Sequence, residues 1–419
     1  MESFRRCCAL IRNFWKFDPN GAFLRLPYLM MAIGVVHLEE GAQRWKRWMM
    51  ATNCLLATYQ YCVSVVAVLL VLQNGKGAFA LIWSVAAVVS FTICNVKARV
   101  LQHYLGVIRE VGRFVDGKPG YSGDAEFDLA VRHEVFKTMR KMFAAIYGNC
   151  FCVQVIMAMP IEQIQRLFGT PEEFGELGPV VAQLASSAAL LLKPFIWMSR
   201  LFSGTVTFTG LLVALNAEMK IVRHGFEGVM DRVSAAINED IGQGGSLNKR
   251  AEQKMFWKNL NVNVKLLVDQ HIEILRNIIL LKPAAENFYF IIHYYSLACV
   301  SAIIAVSLFE GFSFGSVAIA GTACGYFAQC YWWCYVIDSY EDMSSDIADQ
   351  AYALAMEIRP SEKFRQEYKR MMKILMIVQI NAARSNLFTC GGVFPISITA
   401  FGDLCNLTYS AITFVSRVS

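Results

Sequence analysis

The sequence predicts an all-α membrane protein with seven transmembrane helices, a cytosolic N-terminus, an extracellular C-terminus and a helical anchor domain in the cytosol. Three observations predict it. The 419 residues are 56% hydrophobic and only 17% charged, with a mean hydropathy of +0.40, a composition too apolar for a soluble chain of this length. Seven stretches hold the roughly 20 apolar residues needed to cross a hydrocarbon core about 30 Å thick. Lys and Arg fall almost wholly on one side of those stretches, as the positive-inside rule requires of the cytosolic side.

Residues 1–48 begin MESFRRCCALIRNFWKF, with arginines scattered among apolar residues and no continuous apolar run or cleavage site. They read as a cytosolic amphipathic or re-entrant segment on the membrane surface, not as a signal peptide. Cys7 and Cys8 are palmitoylation candidates there. The spans follow at 49–72, 78–96, 142–161, 196–219, 286–309, 313–336 and 392–415. With the N-terminus inside, segments 1–48, 97–141, 220–285 and 337–390 hold 34 of the 39 Lys and Arg residues. Lys76, Arg166, Lys193 and Arg417 fall outside, and Arg200 lies within a span. The chain thus divides into four spans (49–219), a cytosolic segment (220–285), two spans (286–336), a second cytosolic segment (337–390) and a final span (391–419). That last helix is expected to end at the external surface.

All thirteen cysteines lie in spans or cytosolic segments. This agrees with the orientation, because external pairs tend to oxidise, although the ordinary burial of cysteine explains it as well. The orientation is opposite to that of a G-protein-coupled receptor. The Asp/Glu-Arg-Tyr, Asn-Pro-x-x-Tyr and external cysteine-pair signatures of that class are also absent, and Asn406-Leu407-Thr408, a glycosylation pattern, sits inside a span. The external segment 162–195 carries Glu172, Glu173 and Glu176 among glycines and prolines, which suits either a lid or a solvated loop.

The cytosolic segments carry helical stripes. One runs Leu260, Val264, Leu267, His271, Ile274, Leu275 and Ile278; another runs Phe364, Tyr368, Met371, Leu375 and Val378. The sixth span is expected to continue past the membrane through Tyr340, Met343 and Ile347. Such stripes pack on other helices, either in a second subunit or within the chain, and periodicity alone leaves both open. The stretch IGQGGSL at 241–247 reads as a flexible link.

An enzyme is not expected. Nucleophile-elbow, zinc-protease and phosphate-loop motifs are missing, and CYWWC at 330–334 fits neither a thioredoxin motif nor a zinc knuckle. No cofactor, metal or nucleic acid is called for. The potassium-filter motif is missing too, so a pore here would select coarsely. The last span carries Asp403, Asn406, Thr408, Tyr409, Ser410 and Thr413. Asp403, Asn406, Ser410 and Thr413 step by three, four and three and so share one face. Polar groups at such depth face water or protein, which suits either one wall of a pore or interhelical hydrogen bonding inside a subunit.

Three features of the C-terminal third carry a resemblance: FAQCYWWCYVIDSYEDMSSDIADQAYAL across the sixth span, an amphipathic helix before the seventh, and the closing LTYSAITFVS with its Thr-Tyr pair. In these the sequence resembles the insect odorant receptors. The first 300 residues match in topology more than in wording. The resemblance implies a ligand-gated, non-selective cation channel in the plasma membrane of sensory neurons. It would be a heterotetramer of odorant-tuning subunits with the shared co-receptor, joined through the cytosolic anchor, with copies of the seventh helix lining the pore. It places pore and gate residues at Asp403, Asn406, Tyr409, Ile412 and Val415, with Ile412 as the hydrophobic constriction and Val415 where the co-receptor has glutamine. It also places a small volatile, favoured as aromatic or heteroaromatic, in the outer half of helices two, three, four and six. The residues there are Phe79, Ile82, Trp83 and Phe91; Phe151, Gln154, Val155 and Met159; Trp197, Leu201 and Phe202; and Phe314, Thr322 and Tyr326. Aromatic walls with few polar groups suit binding by area and shape. The alternatives are a gustatory-type homotetrameric channel of the same architecture and a membrane transporter, although the internal repeat expected of many transporters is missing.

Overall fold

A computed structural model of the chain describes residues 17, 44–75, 78–157, 178, 180, 199–244, 249–310, 314–383 and 388–418. Helices dominate: α1 (Arg44–Gln73), α2 (Ala78–His103), α3 (Leu105–Asp116), α4 (Ala125–Met157), α5 (Ser199–Glu227), α6 (Val229–Gly244), α7 (Lys249–Glu310), α8 (Phe314–Glu357), α9 (Arg365–Ala383) and α10 (Ile398–Val418). Among the described residues, β pairing is confined to one isolated bridge between Thr389 and Pro395.

α5 is the hub, packed by α2, α3, α4, α7 and α8. From Leu201 to Leu215 its sequence is apolar or small on every side, as a helix stretch without a solvent face requires, and 83% of its most apolar stretch is buried. The same measure is 11% for α1, whose Leu55, Leu69 and Leu72 stand more than half exposed. An apolar helix so exposed presents a surface suited to lipid or to another protein. Close approach at the hub depends on Gly204 of α5, where a Cβ would lie 2.0 Å from the ring of Phe288. That ring stacks on Trp333 of α8 at 6.0 Å and lies 5.1 Å from Phe208, so three helices meet on one aromatic core.

Three described helices, covering Ala51–Gln73, Ser84–His103 and Arg200–Glu227, are long and apolar enough to cross a membrane. α7 has 62 residues and α8 has 44, or about 93 and 66 Å at 1.5 Å per residue. Both greatly exceed a hydrocarbon core of about 30 Å, so a helix of either length that crosses a membrane must project well beyond it. α8 accordingly runs on through Tyr340 and Ile347, both buried. α7 passes unbroken through Pro283, so the expected boundary at 285/286 falls inside one continuous helix.

Several helices run past, or start inside, the bounds expected for the spans. α2 extends beyond 96 to His103, and α4 begins at Ala125, well before residue 142. Asp124 starts α4, its Oδ1 accepting the backbone N–H groups of Glu126 and Phe127 at 3.0 Å each, a standard N-cap. Residues 241–244 of the expected link are the last turn of α6, and 245–248 lie outside the described residues. The last helix starts at Ile398 instead of 392, because Gly391 and Gly392 adopt positive φ of 57° and 81° and Pro395 belongs to the bridge. The lid segment lies outside the described residues apart from Gly178 and Val180.

The two readings of the stripes are separated by burial. Leu260, Val264, Leu267, His271, Ile274 and Ile278 of α7, and Met371, Leu375 and Val378 of α9, are all buried within this chain. Both stripes therefore hold the chain's own helices together.

Candidate ligand site and the outer face of the last helix

A buried cluster forms where α1, α2, α5, α7 and α8 converge, and it joins Phe91, Leu201, Phe202 and Tyr326 with Ala57, Cys94, Tyr295, Cys299 and Val300. Four of the ligand residues expected from sequence thus meet in one place. Tyr295 and Tyr326 form its polar centre, their hydroxyls 2.9 Å apart and their rings edge to face at 5.1 Å. Arg200 at the start of α5 ties the wall together: Nη1 donates to Asn95 Oδ1 at 2.9 Å and Nη2 to Asn53 Oδ1 at 3.1 Å.

Phe151 and Val155 do not join this cluster. They are 70% and 46% exposed, because α4 turns Met142 inward onto Val206 and Phe151, nine residues later, falls half a helical turn away. Apolar character alone did not reveal the face. Phe79, Ile82, Trp83, Gln154, Phe314 and Thr322 lie on described helices, but their side chains lie outside the described residues. Met159 and Trp197 lie wholly outside them.

Sequence reasoning missed Tyr295, Arg200 and Lys97. The fifth span was left out of the expected site, although Tyr294-Tyr295 stands out within it. Arg200 was visible as the one basic residue inside a span. Lys97 counted as cytosolic charge, yet it is only 1% exposed.

The last helix is two-faced. Ala400, Leu404 and Thr408 are buried on the side that packs against α7 and α8. Asp403, Asn406, Tyr409 and Ser410 are exposed on the other. Ser410 Oγ donates to the carbonyl of Asn406 at 2.9 Å, and Thr413 Oγ1 to that of Tyr409 at 2.9 Å. These hydroxyls are satisfied by their own helix, and among the described residues neither Asp403 nor Asn406 has a side-chain hydrogen bond or ion pair within the chain. The hydrogen-bonding alternative for this face therefore finds no partner helix among the described residues. The side chains of Ile412 and Val415 lie outside the described residues.

α8 connects the two regions. Tyr326 faces the cluster, while the next residue, Phe327, packs against the cluster and the main core alike and meets Phe401 of α10 at 6.2 Å. Tyr331, one turn on, meets Phe401 at 5.5 Å. The base of α10 is fixed by Asp338 of α8, whose Oδ2 accepts the N–H of Ile398 at 2.8 Å. On α7, Glu286 Oε1 accepts both the N–H and the hydroxyl of Thr389, at 2.7 and 2.8 Å. The helices that build the cluster thus also carry the start of α10.

No family model and no curated protein matches the sequence. Solved structures do. The structure of the insect olfactory receptor OR5 from Machilis hrabei superposes with a TM-score of 0.67 at 9% identity, covering 99% of this chain and 100% of that one. The same receptor in complex with eugenol superposes with a TM-score of 0.68 at 10% identity, covering 95% and 98%. The chain therefore has the fold of an insect olfactory receptor over nearly its whole length.

Proposed function

We propose that the chain is an odorant-tuning subunit of a ligand-gated, non-selective cation channel, assembled as a heterotetramer with a co-receptor in the plasma membrane of sensory neurons. Seven spans cross the bilayer in this reading, with the N-terminus in the cytosol and the C-terminus outside. The observation that carries it is the outer face of α10. Carboxylate, amide and hydroxyl groups stand exposed on a 21-residue helix, about 31 Å long, with no side-chain partner among the described residues for Asp403 or Asn406. In a bilayer such a face needs water or another subunit, and several copies around an axis supply both. Asp403, Asn406, Tyr409, Ile412 and Val415 then line the pore, with Ile412 as its constriction.

The ligand in this reading is a small volatile with an aromatic body, held in the cluster of Phe91, Phe202, Tyr295 and Tyr326 and in the residues expected outward of it. The solved receptor of the same fold is known in complex with eugenol, which supports an aromatic ligand. Binding favours the open state by its difference in affinity between states, and the contacts of Phe327 and Tyr331 with Phe401 offer a physical route. Subunit contacts fall on the exposed apolar side chains of the cytosolic helices, such as Val262, Ile272, Met376 and Ile380, since the buried stripes are already occupied.

Voltage-clamp recording from cells expressing the chain with and without a co-receptor, under a panel of volatiles, tests this. Fast inward cation current only with the co-receptor, insensitive to G-protein block, is expected. Current from the chain alone would replace the heteromer with a homotetramer. Silence at the cell surface together with uptake of a solute would replace the channel with a transporter.

A further inference from the structure

We propose that the ligand cluster takes a volatile bearing one strong hydrogen-bond-accepting oxygen, a carbonyl or carboxylate, and that Lys97 is the residue that binds it. The proposal rests on the cluster being the ligand site. Lys97 lies one turn after Cys94 on α2 and is 1% exposed. Its Nζ has no hydrogen-bond partner among the described residues. Nζ sits 5.4 Å from the ring centroid of Tyr295 and 5.9 Å from that of Phe288. Its electrostatic neighbours are the thiols of Cys94, Cys299 and Cys330, with no carboxylate among them. Cys94, Tyr295 and Cys299 are themselves members of the cluster.

The two rings attract an ammonium by their faces, but they accept none of its N–H donors. A lysine carries only donors, and buried polar groups almost always have a partner. Arg200, the other cation at this cluster, is already held by Asn53 and Asn95. Lys97 is therefore half of a pair whose other half is missing from the described chain. A molecule with an apolar body against the aromatic wall and a single oxygen at Nζ completes it. Sites built around a hydrogen bond discriminate strongly against analogues that lack the group, so Lys97 would select oxygenated volatiles from hydrocarbons of the same shape.

The test uses the full chain in lipid nanodiscs, titrated with 4-phenylbutan-2-one, 4-phenylbutyrate and butylbenzene while intrinsic tryptophan fluorescence and thermal melting are followed. The wild type is expected to bind at least one oxygen-bearing compound about tenfold or more tighter than butylbenzene. Lys97→Met, close in length and flexible, is expected to abolish that preference while retaining butylbenzene. Equal wild-type affinity for all three compounds, binding of none, or a preference that survives in Lys97→Met would overturn the proposal. The wild-type arm decides by itself if the variant does not fold. Because binding is read without current, a missing odorant-gated current with an intact oxygen preference counts against the channel reading and supports the role of Lys97.

Discussion

The guanidinium of Arg132 on α4 grips Glu218 on α5 in a two-point pair, Nε to Oε1 and Nη2 to Oε2, each at 2.9 Å. Glu218 is 1% exposed. Its Oε2 also accepts the N–H of Gly120 at 2.7 Å, and Arg132 Nη2 donates to the Gly120 carbonyl at 2.8 Å. A Cβ at Gly120 would lie 2.5 Å from that oxygen, so only glycine admits the carboxylate. The pair closes the α3–α4 connection onto the hub helix. Arg132→Ala leaves a buried carboxylate uncompensated, for which the expected cost is about 3–5 kcal/mol. Thermal melting in detergent measures it, and Arg132→Ala combined with Glu218→Leu should recover much of the loss.

The Tyr295–Tyr326 hydroxyl pair is fully buried. Tyr326→Phe removes this bond while the Tyr295 hydroxyl keeps its hydrogen bonds with Ser90 and Cys299, so the expected cost is that of one ordinary hydrogen bond, about 0.5–1.5 kcal/mol. The double replacement of both tyrosines by Phe should be milder than the sum of the singles. A double-mutant cycle on melting temperatures checks this, and additive losses would show that the hydroxyls do not act as a pair.

Much of this architecture was legible in the sequence, and the reasons differ by region. Period-3.6 stripes such as Leu260 to Ile278 and Met371 to Val378 identified buried helix faces, because apolar periodicity records burial whichever partner supplies it. The partner itself was not legible, since a helix of another subunit and one of the same chain bury the same side chains. Of the residues expected to hold the ligand, Phe91, Leu201, Phe202 and Tyr326, chosen as aromatic or apolar residues of the spans, meet in the buried cluster. Phe151 and Val155 were chosen on the same ground, but in lipid an apolar residue is stable facing outward as well as inward. Tyr295 and Lys97 were missed because their meeting arises from convergence of α2, α7 and α8, a relation across some 200 positions that no local pattern encodes. Asp403 and Asn406 were legible because polarity within an apolar helix is costly and so marks a protein or water face.

His271, in the part of α7 expected to lie in the cytosol, is buried, its Nε2 without a hydrogen-bond partner among the described residues, and burial lowers its pKa to about 4 from the usual 6.5. Above the unfolded value both states are neutral and nothing is lost. Below it the unfolded chain binds a proton that the folded chain refuses, so stability falls as pH drops from about 6.5 to about 4 and then levels off. The shift corresponds to about 3 kcal/mol. His271→Gln should flatten the melting temperature over this window, while an unchanged acid slope would assign it to other groups.

Asp403 separates function from stability. It is exposed and without a side-chain partner among the described residues, so replacing it leaves no buried group unsatisfied, and Asp403→Asn should change the melting temperature by less than about 0.5 kcal/mol equivalent. In a tetrameric pore the same change removes one carboxylate from each copy of this subunit, at a depth where water and cations pass and where a fixed negative charge concentrates cations. The expected result is a lower single-channel conductance and a weaker preference for divalent over monovalent cations, with the odorant concentration for half-activation unmoved. Alanine at Thr408, which is buried against α7 and α8 on the opposite face, should do the reverse: it should destabilise the packing of α10 and alter gating while leaving the conductance of the open channel as it was. Equal conductance in Asp403→Asn and wild type would place this face against lipid or another subunit and remove Asp403 from the pore.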